Sequence, residues 1–111
     1  MDAVETVTRS NGQEITWTGG DPRGLVYIYG LSTSGATANA VSSIFYCTER
    51  TSVGRFTIPS YVLLTLPATS GQNFGFLSVN NVVNPVPFTA PGLDVGAVTA
   101  TAGSSKTVTF R

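Results

Sequence analysis

The chain has 111 residues, enough for one domain with a single core and too few for two. Six basic residues balance six acidic ones, and charged residues make up 11% against 41% hydrophobic. That balance excludes disorder and leaves no electrostatic footprint for nucleic acid or an anionic membrane. No His is present, which removes the commonest general base and the commonest metal ligand.

The sequence predicts strands separated by turn signals at short intervals. Val (13 copies) and Thr (16 copies) are abundant, and β-branched side chains suit a pleated surface. No long window carries a 3.6-residue period free of Gly and Pro. Residues 4–8 form a first strand candidate, ended by Ser10-Asn11-Gly12. Residues 14–18 alternate, with Ile15 and Trp17 on one face, and 19–24 form a Gly/Pro loop. Residues 25–29 are apolar on both faces. A polar loop over 32–39 leads to a long strand at 40–48, and a turn at 49–54 to a short strand at 55–58, stopped by Pro59. Residues 60–66 are ambiguous, read as a single turn after Pro59 that ends in a strand running into Pro67. After a loop at 68–73, residues 74–79 form a strand with Leu77 and Val79 on one face. Three prolines make residues 80–91 extended but unfit for the centre of a sheet. A Gly-interrupted strand at 93–101, a turn at Ala102-Gly103-Ser104-Ser105 and a last strand at 106–110 complete the chain. Seven to nine strands in one domain, residues 1–111, point to an all-β, antiparallel, immunoglobulin-like sandwich.

A single Cys cannot make an intradomain disulfide, and the flanks of Cys47 (Ile44-Phe45-Tyr46 and Thr48) read as a strand holding an inert thiol. The start, Met1-Asp2-Ala3-Val4-Glu5, lacks the basic and apolar regions of a signal peptide, and no apolar run approaches 18 residues. The chain therefore reads either as cytosolic or as a piece of a longer secreted protein.

Catalytic and metal constellations find no support in the sequence. Without His there is no Ser-His or Cys-His nucleophile, and Lys106 beside Ser104 and Ser105 reads as a solvated hairpin. The acids Asp2, Glu5, Glu14, Asp21, Glu49 and Asp94 are not brought together within any one element. Gly20-Asp21-Pro22 offers one carboxylate for calcium with no second acid in the same loop, zinc lacks its Cys/His cluster, and Gly19-Gly20 precedes no helix. The expectation is a non-enzyme with no cofactor and no metal.

Surface chemistry survives this elimination. If Val26 and Ile28 face the core, alternation turns Leu25, Tyr27 and Tyr29 outward; if Phe45 and Cys47 face inward, Ile44 and Tyr46 point out. The two strands are consecutive, so antiparallel pairing would gather Tyr27, Tyr29, Ile44 and Tyr46 into one candidate patch. Such a patch serves as cross-strand pairing alone, as a contact surface for another domain or subunit, or as a stacking platform for polysaccharide. No neighbouring polar cluster is set to read sugar hydroxyls.

Several blocks also carry a likeness to a known group. They are Arg9-Ser10-Asn11-Gly12, Ile15-Thr16-Trp17-Thr18-Gly19-Gly20, Phe45-Tyr46-Cys47-Thr48, Gly54-Arg55-Phe56-Thr57-Ile58-Pro59, Pro91-Gly92-Leu93-Asp94 and Thr107-Val108-Thr109-Phe110. In this order the chain resembles the C-terminal immunoglobulin-like modules of large secreted or surface proteins of soil bacteria such as the Acidobacteria. The resemblance implies an extracellular sandwich at the end of a longer protein, with no catalytic residue. It implies core positions at Trp17, Val26, Ile28, Phe45, Cys47, Phe56 and Ile58. Tyr27 and Tyr29 depart from the pattern, where small or polar residues are expected. The functional expectation is a structural, display or assembly module. Its partner would be an upstream domain or another subunit; the alternative is a carbohydrate-binding module. Neither reading involves nucleic acid or a transmembrane segment.

Overall fold

The computed structural model describes residues 4–35, 38–69 and 74–111. In chain order the strands are β1 (Thr6–Val7), β2 (Gln13–Thr16), β3 (Leu25–Ser34), β4 (Val41–Arg50), β5 (Arg55–Ile58), β6 (Phe74–Val82), β7 (Val86–Phe88), β8 (Gly96–Val98), β9 (Thr101–Thr107) and β10 (Thr109–Phe110). A one-turn helix, α1 (Ser60–Leu63), follows β5. The fold is an all-β sandwich of antiparallel sheets. One layer is a four-stranded sheet in the order β4-β3-β6-β9; across the core stands the β2-β5 pair, and the short β1 runs parallel to β10. Among the described residues, β7 and β8 pair only with each other.

Alternation sorts the residues of the large sheet. Val26 and Ile28 of β3, Phe45 of β4, and Leu77 and Val79 of β6 point inward, where they meet Ile15 and Ile58 from the β2-β5 pair. Val7, Val108 and Phe110 close one end, and Leu63 and Leu66 are buried from the segment after β5. Gly30 lies directly opposite Phe45, whose ring covers it; a Cβ there would overlap the ring, so glycine is what lets the ring lie flat on the sheet. Of the core positions expected from the sequence, Val26, Ile28, Phe45 and Ile58 are buried. Trp17, Cys47 and Phe56 are partly buried against them.

Several expectations need correction. There are ten strands among the described residues rather than seven to nine, because the late part of the chain breaks into short pieces. The stretch 60–66 opens after Pro59 with a helical turn, α1, but ends in a further turn rather than a strand: Leu66 N–H closes on the Leu63 carbonyl at 3.1 Å. Residues 80–82 belong to β6 and sit centrally between β3 and β9, since the first proline comes only at position 85. Ala102-Gly103-Ser104-Ser105 is not a turn but the middle of β9. Gly103 is needed because a Cβ would run into the Val79 carbonyl oxygen, and that close approach is what a glycine inside a strand signals. The expected loop at 32–39 shrinks, since β3 continues to Ser34, and its residues 36–37 lie outside the described residues. So do residues 70–73 of the expected loop at 68–73.

Beyond Val83, the β6-β9 ladder is carried on by Val83 N–H to the Ala100 carbonyl (3.0 Å) and by the Thr99 hydroxyl to the Val83 carbonyl (2.5 Å). It then passes into the β7-β8 hairpin, which turns at residues 90–93, where Leu93 N–H reaches the Ala90 carbonyl at 3.2 Å. This arm, residues 84–99, stands clear of the sandwich. The molecule accordingly measures 50 × 35 × 22 Å, with a radius of gyration of 16.6 Å. A compact domain of this length would have about 13 Å.

Candidate contact surface

The outer face of the four-stranded sheet is built by register. Tyr29 lies directly opposite Tyr46 on β4 and Ser78 on β6; Leu31 lies opposite Ile44 and Phe76; Tyr27 lies opposite Thr48 and Asn80. Residues directly opposite share a face, so Tyr27, Tyr29, Ile44 and Tyr46 form one surface, as the alternation of β3 and β4 implies. The Tyr29 and Tyr46 rings lie 5.0 Å apart and tilted by 49°, and the Phe76 ring meets Tyr29 edge-on at 5.9 Å. Tyr46 is 70% exposed, Ile44 52% and Tyr27 37%, while Tyr29 is half-buried between its neighbours.

Leu31 and Phe76 belong to the same surface and extend it along β3 and onto β6. Phe76 was not found from the sequence because it required knowing that β6 lies on the other side of β3. Alternation in residues 74–79 did signal an outward Phe76 once Leu77 and Val79 were inward. Ser78 is nearly buried although it faces outward, because the rings of Tyr29 and Phe76 and the Asn80 side chain close over a small residue. Asn80 Nδ2 donates to the Ser78 hydroxyl at 2.7 Å. The outward positions of β3, β4, β6 and β9 carry one charge, Arg50 at the end of β4.

On the inner side, the two-stranded β2-β5 sheet is narrower than the sheet it faces, so it leaves β9 uncovered. An open cleft of about 400 Å³ results, with Trp17, Thr18, Gly19 and Gly20 on one wall and Val79, Asn81, Ala102 and Ser104 on the other. Its Trp17 and Asn81 side chains are committed to the fold. Trp17 Nε1 donates to the Thr51 carbonyl at 2.9 Å, Asn81 Nδ2 donates to the Thr51 hydroxyl at 2.6 Å, and Asn81 Oδ1 accepts from Asp21 N–H at 3.2 Å. No ionisable residue lines it.

Asp21 accepts from the backbone N–H of Arg23 at 2.9 Å, and the Arg23 guanidinium holds its carboxyl below the ordinary value. The pair is local and solvent-facing, with 85% of the Arg23 side chain exposed, so it shapes the loop rather than a site. Cys47 is partly buried on the inner face beside Ile28, and burial pushes its thiol up from the ordinary value, which makes the reactive thiolate scarcer. Among the described residues, no three His, Cys, Asp or Glu side chains come together; Asp2 lies outside them. No helix among the described residues is long and apolar enough to cross a membrane. No protein-family model, curated protein or solved structure matches the chain.

Proposed function

We infer that the chain is a non-catalytic structural or assembly module of a secreted or cell-surface bacterial protein, and that it makes protein–protein contacts through the outer face of its large sheet. The observation that carries this reading is the joining of Tyr27, Tyr29, Leu31, Ile44, Tyr46 and Phe76 into one nearly uncharged, largely uncovered surface. Cross-strand pairing alone gives a weak reason for it, since each pair contributes about 0.2–1 kcal/mol. Exposed apolar patches rimmed by polar residues mark interaction sites, and Tyr is enriched in interface cores.

An immunoglobulin-like description fits the order of the strands. A β4-β3-β6-β9 sheet opposite a β2-β5 pair follows the C′-C-F-G and B-E arrangement of such sandwiches, without their disulfide. The extracellular setting, the place at the end of a longer chain, and a partner in an upstream domain or another subunit rest on the resemblance to surface modules of soil bacteria.

A polysaccharide platform is the competing reading, favoured by the exposure of Tyr46 and Tyr27. The 49° tilt between Tyr29 and Tyr46 speaks against it, because the two rings do not make a flat stacking plane. Calorimetry against a panel of soluble and insoluble polysaccharides, on wild type and on a Tyr27→Ala/Tyr29→Ala variant, separates the two. The protein-contact reading expects no heat of binding with either protein. Binding by wild type that the variant loses would replace it with the carbohydrate reading.

A further inference from the structure

We propose that the tyrosine face is covered by the β7-β8 arm of a second copy of this chain, the two copies exchanging arms reciprocally. The inference rests on the protein-contact reading above and names its partner.

The arm is the part of the molecule least able to stand alone. An isolated two-stranded hairpin is marginal in water, yet among the described residues β7 and β8 pair with no other strand. Its side chains are apolar and open to solvent: Val86 (63% exposed) is paired across the hairpin with Val98 (61%), Phe88 lies over Gly96, and Leu93 and Val95 stand out near the tip. A segment this apolar and this uncovered needs a surface to lie on.

The same chain offers one. The tyrosine face is apolar, and the single charge among the outward positions of its sheet is Arg50, whereas the single charge in residues 84–99 is Asp94. Arm and face are therefore complementary in polarity and opposite in sign. Reach is adequate: about eight residues per side, at roughly 3.3 Å each, carry the arm about 26 Å from the body, a span comparable to a ten-residue strand of the face.

Area decides between a one-sided contact and an exchange. The chain exposes 7040 Å², against about 5,800 Å² for a compact monomer of its mass. The excess, about 1,200 Å², is of the size a specific interface covers on each partner, roughly 800 Å². Five apolar arm side chains, at roughly 100 Å² each, fall short of that alone. Reciprocal exchange adds to each copy's arm the area of the face it receives, and the two-fold interface then reaches the required size.

The test uses sedimentation velocity on the whole chain, on an arm variant (Val86→Ser/Val98→Ser) and on a face variant (Ile44→Ser/Tyr46→Ser). All four substituted residues are exposed, and circular dichroism on each variant checks that it is folded. Wild type is expected to dimerise with rising concentration, and each variant to dimerise at least tenfold more weakly. An equimolar mixture of the two variants should associate more strongly than either alone, because it restores one intact arm-on-face contact. A wild type that stays monomeric at hundreds of micromolar would overturn the second copy as partner, while leaving the face available to a different protein. A dimer indifferent to the arm variant, as pairing through the free edge of β4 would give, overturns the proposal. So does a dimer indifferent to the face variant, or a mixture no better than its components.

Discussion

Phe45 and Tyr46 are neighbours in sequence and opposites in role. Phe45 is 6% exposed and lies flat on Gly30 in the core, whereas Tyr46 is 70% exposed and touches Tyr29 on the outer face. Truncating a buried Phe costs about 3–5 kcal/mol, and losing a tilted aromatic pair costs at most about 0.5–1.5 kcal/mol beyond its area. Urea unfolding of Phe45→Ala and Tyr46→Ala is therefore expected to show a gap of about 2 kcal/mol or more between the two. Equal losses would mean that Tyr46 is part of the packing rather than of a surface kept for contact. Cys47 gives a second residue-level expectation, through pH. Burial raises its pKa from 9.0, so the folded state holds the proton more tightly than the unfolded chain does. The contribution is complete below the unfolded value and is lost as pH rises through the folded one. The urea midpoint should fall above about pH 9 by more in wild type than in Cys47→Ala. Identical profiles would contradict a partly buried thiol. The facing of these residues was legible in the sequence because alternation needs only one correctly placed core residue per strand.

Elements were legible where a strand lies between turn signals of its own, and not where tertiary pairing carries a strand through residues that favour turns. β4 and β5 follow from alternation and the flanking turn signals, and β3 from its apolar run after the Gly/Pro loop, although β3 continues to Ser34 through residues of loop composition. β9 does not, since Ala102-Gly103-Ser104-Ser105 has turn composition and becomes a strand only because β6 supplies the partner from Phe76 to Val82. Gly103 is then a requirement of close approach rather than of chain reversal. Gly103→Val should destabilise the fold by about 1–3 kcal/mol, although the position is exposed, because a side chain there meets the Val79 carbonyl. A neutral effect in thermal unfolding would show that β9 is free to move away from β6. The candidate site was legible by the same division. Tyr27, Tyr29, Ile44 and Tyr46 come from two consecutive strands, while Phe76 joins them through a strand more than 25 residues further along the chain, which no local pattern announces.

At the scale of the molecule, composition foretold an all-β fold with little charge but not its shape. The sequence predicts residues 80–91 as extended chain unfit for the centre of a sheet and residues 93–101 as a Gly-interrupted strand. The structure instead divides them between the sheet and a projecting arm, because Pro85 and Pro87 end the ladder to β3 without ending the hairpin. An arm with an apolar surface and a sheet with an apolar outer face occur in one chain, and neither has a role in the core. The most direct test of the central claim, that the tyrosine face is a surface for a second copy of this chain, is to follow the aromatic resonances of specifically labelled tyrosines during dilution and during addition of polysaccharide. Tyr61, exposed on α1 and away from the face, is the internal reference. The account requires Tyr27, Tyr29 and Tyr46 to shift with protein concentration, Tyr61 to stay fixed, and none of the four to respond to polysaccharide. Shifts of the three face tyrosines on adding polysaccharide, with no change on dilution, would contradict it.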